Sequence, residues 1–383
     1  MSRTPSPFAQ SYAHLPMKTW QVAVTRPSKE EREILPQKAQ ASIEAVQQQQ
    51  RQVLNRGDYQ LSWIAEKHFL LAGATGTGLG GCLATAILDQ LSARGSLTII
   101  SRDLSHSLPY ETGNFFVYLA RSKGFADRVH WINDGLATEG KAFDQVVEKL
   151  KQVGARKIIY VNTVAAAYSG LLPGFPQIYI KDVGDDGLFQ WTLPYLTEKN
   201  IEASKYIMGT LAVSFPYALE KHGFFVDLVV FADTRGSLDR LSRDPSSSAY
   251  GRQGAYSSSL YLPKDIIQQE VSSSYQSGKR RVMDFFMPMM RTRALTFIPG
   301  ARLTSLLFDR LMELTGIRRI DIPELALMML RRMGESLEAA YYNPFPRLDG
   351  HEAQLDLWLN ELLQQLNNDE HSDYYYKKWI KEN

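Results

Sequence analysis

Five glycines fall within the nine residues from Gly73 to Gly81, inside the stretch Phe69 to Leu83 that reads FLLAGATGTGLGGCL. Gly76, Gly78 and Gly81 satisfy Gly-x-Gly-x-x-Gly, and Gly73 and Gly80 add two more, so more than one register of the turn is open. His68-Phe69-Leu70-Leu71-Ala72 ahead of them has the pattern of a buried parallel strand, and Cys82 to Leu88 that of a helix start. Strand, glycine turn and helix in this order let the main chain approach a pyrophosphate while the first amides of the helix face it. The chemistry this implies is dinucleotide binding, with Gly73, Thr75, Gly76, Thr77, Gly78 and Leu79 in contact. A glycine-rich turn that holds no ligand is the competing reading.

Such a turn must be held by a sheet, and the chain supplies one. Ser96 to Ile100 reads as the next parallel strand and ends in Ser101-Arg102-Asp103. At that strand end an acidic side chain pairs with two ribose hydroxyls, whereas an arginine accommodates a 2'-phosphate. Both are present; with Ser101 and Arg102 ahead of Asp103, NADPH is the expected cofactor, and NADH is admitted. Helix, strand and helix then alternate over Glu111 to Gly124, Val129 to Asp134 and Ala142 to Val153, followed by strands at Lys157 to Asn162 and Phe225 to Phe231. That alternation predicts an α/β fold with a Rossmann-type, doubly wound parallel sheet. Asp134 and Asn162, at strand carboxyl ends, fall on the rim where such sheets bind ligands, although strand-end polar residues also cap helices.

With 383 residues, 44% hydrophobic and 22% charged, the chain can bury a large core. A net charge of +2 with scattered basic residues leaves no nucleic-acid footprint. Cys82 is the one cysteine, so disulfides within the chain and cysteine-rich metal sites are excluded; no His-Glu-x-x-His occurs, and no metal is expected. Without a membrane-spanning apolar run or a signal-peptide core near Met1 to Lys18, the cytoplasm is the expected compartment.

Residues 1–16 read as a flexible tail, residues 17–365 as one domain and residues 366–383 as a polar tail. Trp20 to Val24 alternates like a strand, and Glu30 to Asn55, with four consecutive glutamines from Gln47, as a polar-surfaced helix. A hairpin is expected at about 174–190 around Gly184-Asp185-Asp186-Gly187. Thr234 to Lys264, rich in serine, glycine and tyrosine, reads as a long polar loop, and Asp265 to Arg281 as an amphipathic helix.

Taken in order, Met17-Lys18-Thr19-Trp20, Gly76-Thr77-Gly78-Leu79, the stretch Tyr110 to Asp134, Asn162-Thr163-Val164-Ala165, Ile207-Met208-Gly209 and Thr296-Phe297-Ile298-Pro299 resemble one family. It is that of the bacterial trans-2-enoyl-CoA reductases and V-type enoyl-acyl-carrier-protein reductases, large relatives of the short-chain dehydrogenases. The resemblance implies a single Rossmann-type domain with a helical lid, at about 265–340, over an acyl site. It implies Asp134 beside adenine, Asn162, Thr163 and Ala165 near the nicotinamide ribose, and Thr296 covering cofactor and substrate. The partners it implies are an acyl thioester substrate and, as its carrier, coenzyme A or an acyl carrier protein.

Members of the family use Tyr-x8-Lys, the tyrosine giving a proton and the lysine holding ribose. Lys264 matches the lysine, but seven residues separate it from Tyr256 and thirteen from Tyr250. A one-residue contraction of the loop expected before the helix would bring Tyr256 into place, so Tyr256 is favoured over Tyr250. The reaction implied is hydride addition to the β carbon of a 2-enoyl thioester with Tyr256 and Lys264 assisting protonation. Carbonyl reduction by the same pair stays open, as does a dinucleotide-binding partner protein whose chemistry has changed.

Overall fold

The computed structural model describes residues 17–20, 28–103, 105–164, 178–184, 187–193, 202–233, 248–278, 280–286, 309, 311–335, 341–344 and 351. Seven strands form an all-parallel sheet: β2 (His68–Ala72), β3 (Ser96–Ile100), β4 (Val129–Ile132), β5 (Lys157–Asn162), β8 (Phe225–Asp233), β9 (Arg281–Phe286) and β10 (Tyr341–Tyr342). Their order is β10-β9-β8-β5-β2-β3-β4, which makes a doubly wound Rossmann-type sheet. The chain winds outward from β2 through β3 to β4, returns to β5 on the other side of β2, and continues through β8 and β9 to β10. The order therefore reverses between β2 and β5, and the carboxyl ends of these two strands flank the switch point.

Parallel strands buried on both faces carry apolar residues at consecutive positions, and β2 does so. Phe69 and Leu71 enter one core with helices α1 (Lys29–Leu54), α2 (Leu79–Gln90), α3 (Leu108–Ser122) and α7 (Ile322–Gly334). Leu70 and Ala72 enter the other, with α4 (Gly140–Gln152), α5 (Leu211–Lys221) and α6 (Ser248–Ser277).

Helix α1 starts in a capping box: the Ser28 hydroxyl accepts from the Glu31 amide at 3.2 Å and the Glu31 carboxylate from the Ser28 amide at 2.7 Å. Its glutamine run is not all surface. Gln47 and Gln50 are buried; Gln50 Nε2 donates to the Cys82 carbonyl at 2.9 Å and Gln47 Nε2 to Asp89 at 3.0 Å, so α1 grips both ends of α2.

Three further differences from the expected elements concern the termini and the crossover. The first strand, β1, spans Met17–Trp20, while residues 21–24 lie outside the described residues. It runs parallel to β7 (Gly187–Leu193), which pairs antiparallel with β6 (Ile178–Gly184), giving a separate three-stranded sheet. The expected hairpin is thus present, and β7 extends three residues past position 190.

The range expected as a lid, 265–340, also contains β9, a strand of the central sheet, and α7, whose Leu325, Leu327, Met329 and Leu330 are fully buried in the core. Among the described residues no helix is long and apolar enough to cross a membrane. The tails at 1–16 and 366–383 lie outside the described residues.

Candidate functional site

The glycine turn joins β2 to α2 at the switch point. Helix α2 begins at Leu79, three residues ahead of the expected start, so Gly80 and Gly81 belong to its first turn. Packing explains these glycines. A Cβ on Gly80 would stand 2.5 Å from Thr163 Oγ1 and 2.6 Å from the Gly73 carbonyl oxygen, and one on Gly81 would overlap the Gly76 carbonyl. Gly73 and Gly76 have φ of 77° and 82°, a region that favours glycine. The Gly73 amide donates to Ile100 at 2.8 Å, tying the turn to β3.

Gly78 is different. It is the N-cap of α2; among the described residues nothing lies within 4 Å of the place its Cβ would take and no side chain caps the helix, and the first turn holds no acidic residue. An uncapped helix start with open space before it leaves its first amides for an anion.

Beside the turn, the end of β3 is laced by side chains. Ser101 is buried, and its Oγ accepts from Trp131 Nε1 at 2.7 Å. Trp131 lies flat against Gly113 of α3, where a Cβ would come within 2.5 Å of the indole. The expected role of Ser101 at the cofactor thus competes with an internal one. Asp103 Oδ2 accepts from Thr75 Oγ1 of the glycine turn at 2.6 Å. The amide of Asp103 donates to Asn133 Oδ1 at 2.8 Å, and its carbonyl accepts from Asn133 Nδ2 at 3.1 Å.

Arg102 is exposed and makes no ion pair among the described residues. Its stem crosses Gly135, whose φ is 84° and whose Cβ would stand 3.3 Å from Arg102 Cβ. Asp134 is exposed on the same turn.

At the end of β5 the Thr163 amide donates to the Ala72 carbonyl at 2.9 Å, and Thr163 Oγ1 lies 3.0 Å and 3.1 Å from the carbonyls of Ala72 and Gly73. Asn162 is buried; its Nδ2 donates to the Tyr160 hydroxyl at 2.9 Å and its Oδ1 accepts from the Val164 amide at 2.9 Å. Burial raises the Tyr160 phenol far above its ordinary value, so it stays neutral and offers its oxygen to Asn162. Asn162 thus shapes the turn after β5, and Thr163 packs that turn onto the glycines. Ala165 and Thr296 lie outside the described residues.

Lys264 is half-buried on α6, one residue after Pro263. Pro263 meets Gly209, in the π-helical turn Lys205–Thr210 that leads into α5: a Cβ there would stand 2.9 Å from the Pro263 carbonyl and from Ile266 Cδ1. The long polar loop expected ahead of Lys264 is helix from Ser248 onward. Tyr250, Tyr256 and Lys264 therefore share one helix, and no loop remains between Tyr256 and Lys264 to contract. For Tyr250 and Tyr256 only the helical position is described. Eight positions along a helix amount to ~12 Å of rise and ~80° of rotation, so Tyr256 stands two turns ahead of Lys264.

The structure brings together Gly73, Thr75, Gly76, Thr77, Gly78 and Leu79 with Asp103 and Thr163 around the switch point. Sequence reasoning did not single out Asn133, Trp131 or Gly135. The signal available was register: Ile100 pairs with Ile132, so the residues that follow these strands must emerge side by side. Cys82, buried beneath the turn, has its thiol pushed up to about 12 by desolvation, which makes it a packing residue.

No family model matches the chain, and no curated protein does. Solved structures do. Trans-2-enoyl-CoA reductase from Clostridium acetobutulicum in complex with NAD is 14% identical with a TM-score of 0.57, the match covering 91% of this chain and 91% of that one. The same enzyme in complex with NADH also gives 14% identity and a TM-score of 0.57, over 94% and 92% of the two chains. Trans-2-enoyl-CoA reductase from Treponema denticola in complex with NAD is 15% identical with a TM-score of 0.55, over 90% and 86%. At this identity the likeness establishes a shared fold over nearly the whole chain.

Proposed function

We propose that this chain is a nicotinamide-dinucleotide-dependent reductase acting on 2-enoyl thioesters of coenzyme A or an acyl carrier protein. The observation that carries the reading is the uncapped start of α2, opened by Gly78 and set at the switch point between β2 and β5. The residues fit the cofactor, because an anion at that helix start meets amides without a competing carboxylate. Enoyl-CoA reductases with this fold are crystallised with NAD or NADH, which supports both cofactor class and substrate.

When bound, the dinucleotide supplies the hydride that adds to the β carbon. The chain's own work is positioning and proton supply. The first amides of α2 hold the pyrophosphate, and Arg102 and Asp103 at the end of β3 meet the adenosine ribose. Lys264 hydrogen-bonds the nicotinamide ribose, and Tyr256 protonates the enolate left on the thioester. Thr163 stands at the nicotinamide end, and Asp134 at the adenine end. The same pair on α6 would also serve the second reading, reduction of a 3-ketoacyl thioester.

Purified protein should oxidise NADPH or NADH with crotonyl-CoA. Turnover of acetoacetyl-CoA alone supports the second reading, and turnover of neither substrate refutes both.

A further inference from the structure

Two neighbouring helices lose their regular winding at the same place. The turn Lys205–Thr210 ahead of α5 is π-helical, a rare winding, and α6 carries Pro263 in its interior, where a proline has no N–H for the carbonyl four residues back. The two breaks meet. Gly209 and Pro263 are both buried, and a Cβ on Gly209 would stand 2.9 Å from the Pro263 carbonyl oxygen and 3.1 Å from its Cα. Main chain therefore lies on main chain, with no room for a methyl group.

Their level in the fold is the rim of the sheet. Helix α6 ends at Ser277 and β9 begins at Arg281, so Lys264 lies ~20 Å back along the helix from the amino edge of the strands. Strand β9, from Arg281 to Phe286, spans ~17 Å, which puts Lys264 level with its carboxyl end, where such sheets bind ligands. Gly209 stands ~18 Å from Lys221, the last residue of α5, at the same level. Below that level the helices are already joined. The Tyr217 hydroxyl donates to Glu270 at 2.6 Å, Arg280 pairs with Glu220 at 2.9 Å, and Ile267 and Val271 are buried in the core. The irregular contact adds a defect to each helix, and the residue directly after it is Lys264.

We infer that Gly209 and Pro263 are positioning residues for Lys264: the close approach of the two main chains sets the height and phase at which α6 presents the lysine at the rim. The inference rests on the dinucleotide reading above and adds to it the residues that place the ribose ligand.

The test is equilibrium binding of NADH and NADPH, read by nicotinamide fluorescence, beside urea midpoints. Pro263→Ala separates positioning from packing, because it returns an amide to the helix and removes a residue that destabilises helix interiors. Its urea midpoint should match or exceed that of wild type, while dinucleotide affinity falls about tenfold, as for one lost hydrogen bond to a charged group. Gly209→Ala should weaken binding as well. In a Lys264→Ala background neither substitution should weaken binding further, since both act through that side chain. Val271→Ala, two turns farther along α6, should lower the urea midpoint and leave affinity near wild type. Wild-type affinity in Pro263→Ala or in Lys264→Ala, losses that persist in full without Lys264, or an equal loss in Val271→Ala overturns the inference while the dinucleotide reading stands. Binding of neither dinucleotide by wild type overturns both.

Discussion

The two ends of the site are built by different means. Around the glycine turn, position is set by contacts between segments far apart in sequence: Thr75 to Asp103, Asp103 to Asn133, Trp131 to Ser101, Thr163 to Gly73. At the other end, Tyr256 and Lys264 lie on one helix, seated by Gly209 against Pro263 and by Ile267 and Val271 in the core. The first arrangement fixes a static cradle through hydrogen bonds that each exclude alternatives. In the second, the phase and height of a single helix set both residues together.

The comparison can be broken most sharply at the helical end. Tyr256→Phe should lower turnover of crotonyl-CoA by 10²- to 10⁴-fold, the range for loss of a general acid, with dinucleotide affinity within a few fold. Tyr261→Phe is the control that sharpens it: three positions from Lys264 on the same side of the helix, it should leave turnover near wild type, and an inverted result would move the proton donor to Tyr261.

At the cradle, Gly81→Ala drives a methyl into the Gly76 carbonyl and should cost about 3 kcal/mol in urea unfolding, with dinucleotide binding lost alongside. Gln50→Leu removes the donor to the Cys82 carbonyl and should cost about 1–3 kcal/mol, measured in the same way.

The smallest effect is a pH dependence. Burial holds the imidazoles of His68 and His130 below their ordinary value, helped by Arg128 at His68 and by Lys149 at His130. Their folded forms resist protonation, so the unfolded chain binds protons first as pH falls below about 6.5, and stability should drop there. Urea midpoints at mildly acid and neutral pH, compared with those of His130→Asn, would register a shallower slope in the variant.

Much of the sheet was readable because buried parallel strands are short apolar runs between breakers. Residues 68–72, 96–100 and 157–162 emerge with the expected bounds. Helix α2 begins earlier than expected because Gly80 and Gly81, weak helix formers, are there for close packing. The first half of α6 reads as loop for a related reason: serine, glycine and tyrosine give neither helical propensity nor an apolar stripe. Its anchor is downstream, where Ile267 and Val271 are buried. In the site, the glycine turn was legible from local order alone, whereas the Asn133 bracket depends on two strands lying side by side.

Four consecutive glutamines invite the reading of a stretch that could gain or lose a residue at no cost. In α1 such a change would not be silent. The buried side of that helix runs through Ala39, Ile43, Val46, Gln47, Gln50 and Val53. One added glutamine leaves glutamines at positions 47 and 50 but turns everything beyond the run by ~100°, which carries Val53 out of the core. The tract is therefore of fixed length by construction, although its composition suggests a surface segment free to vary.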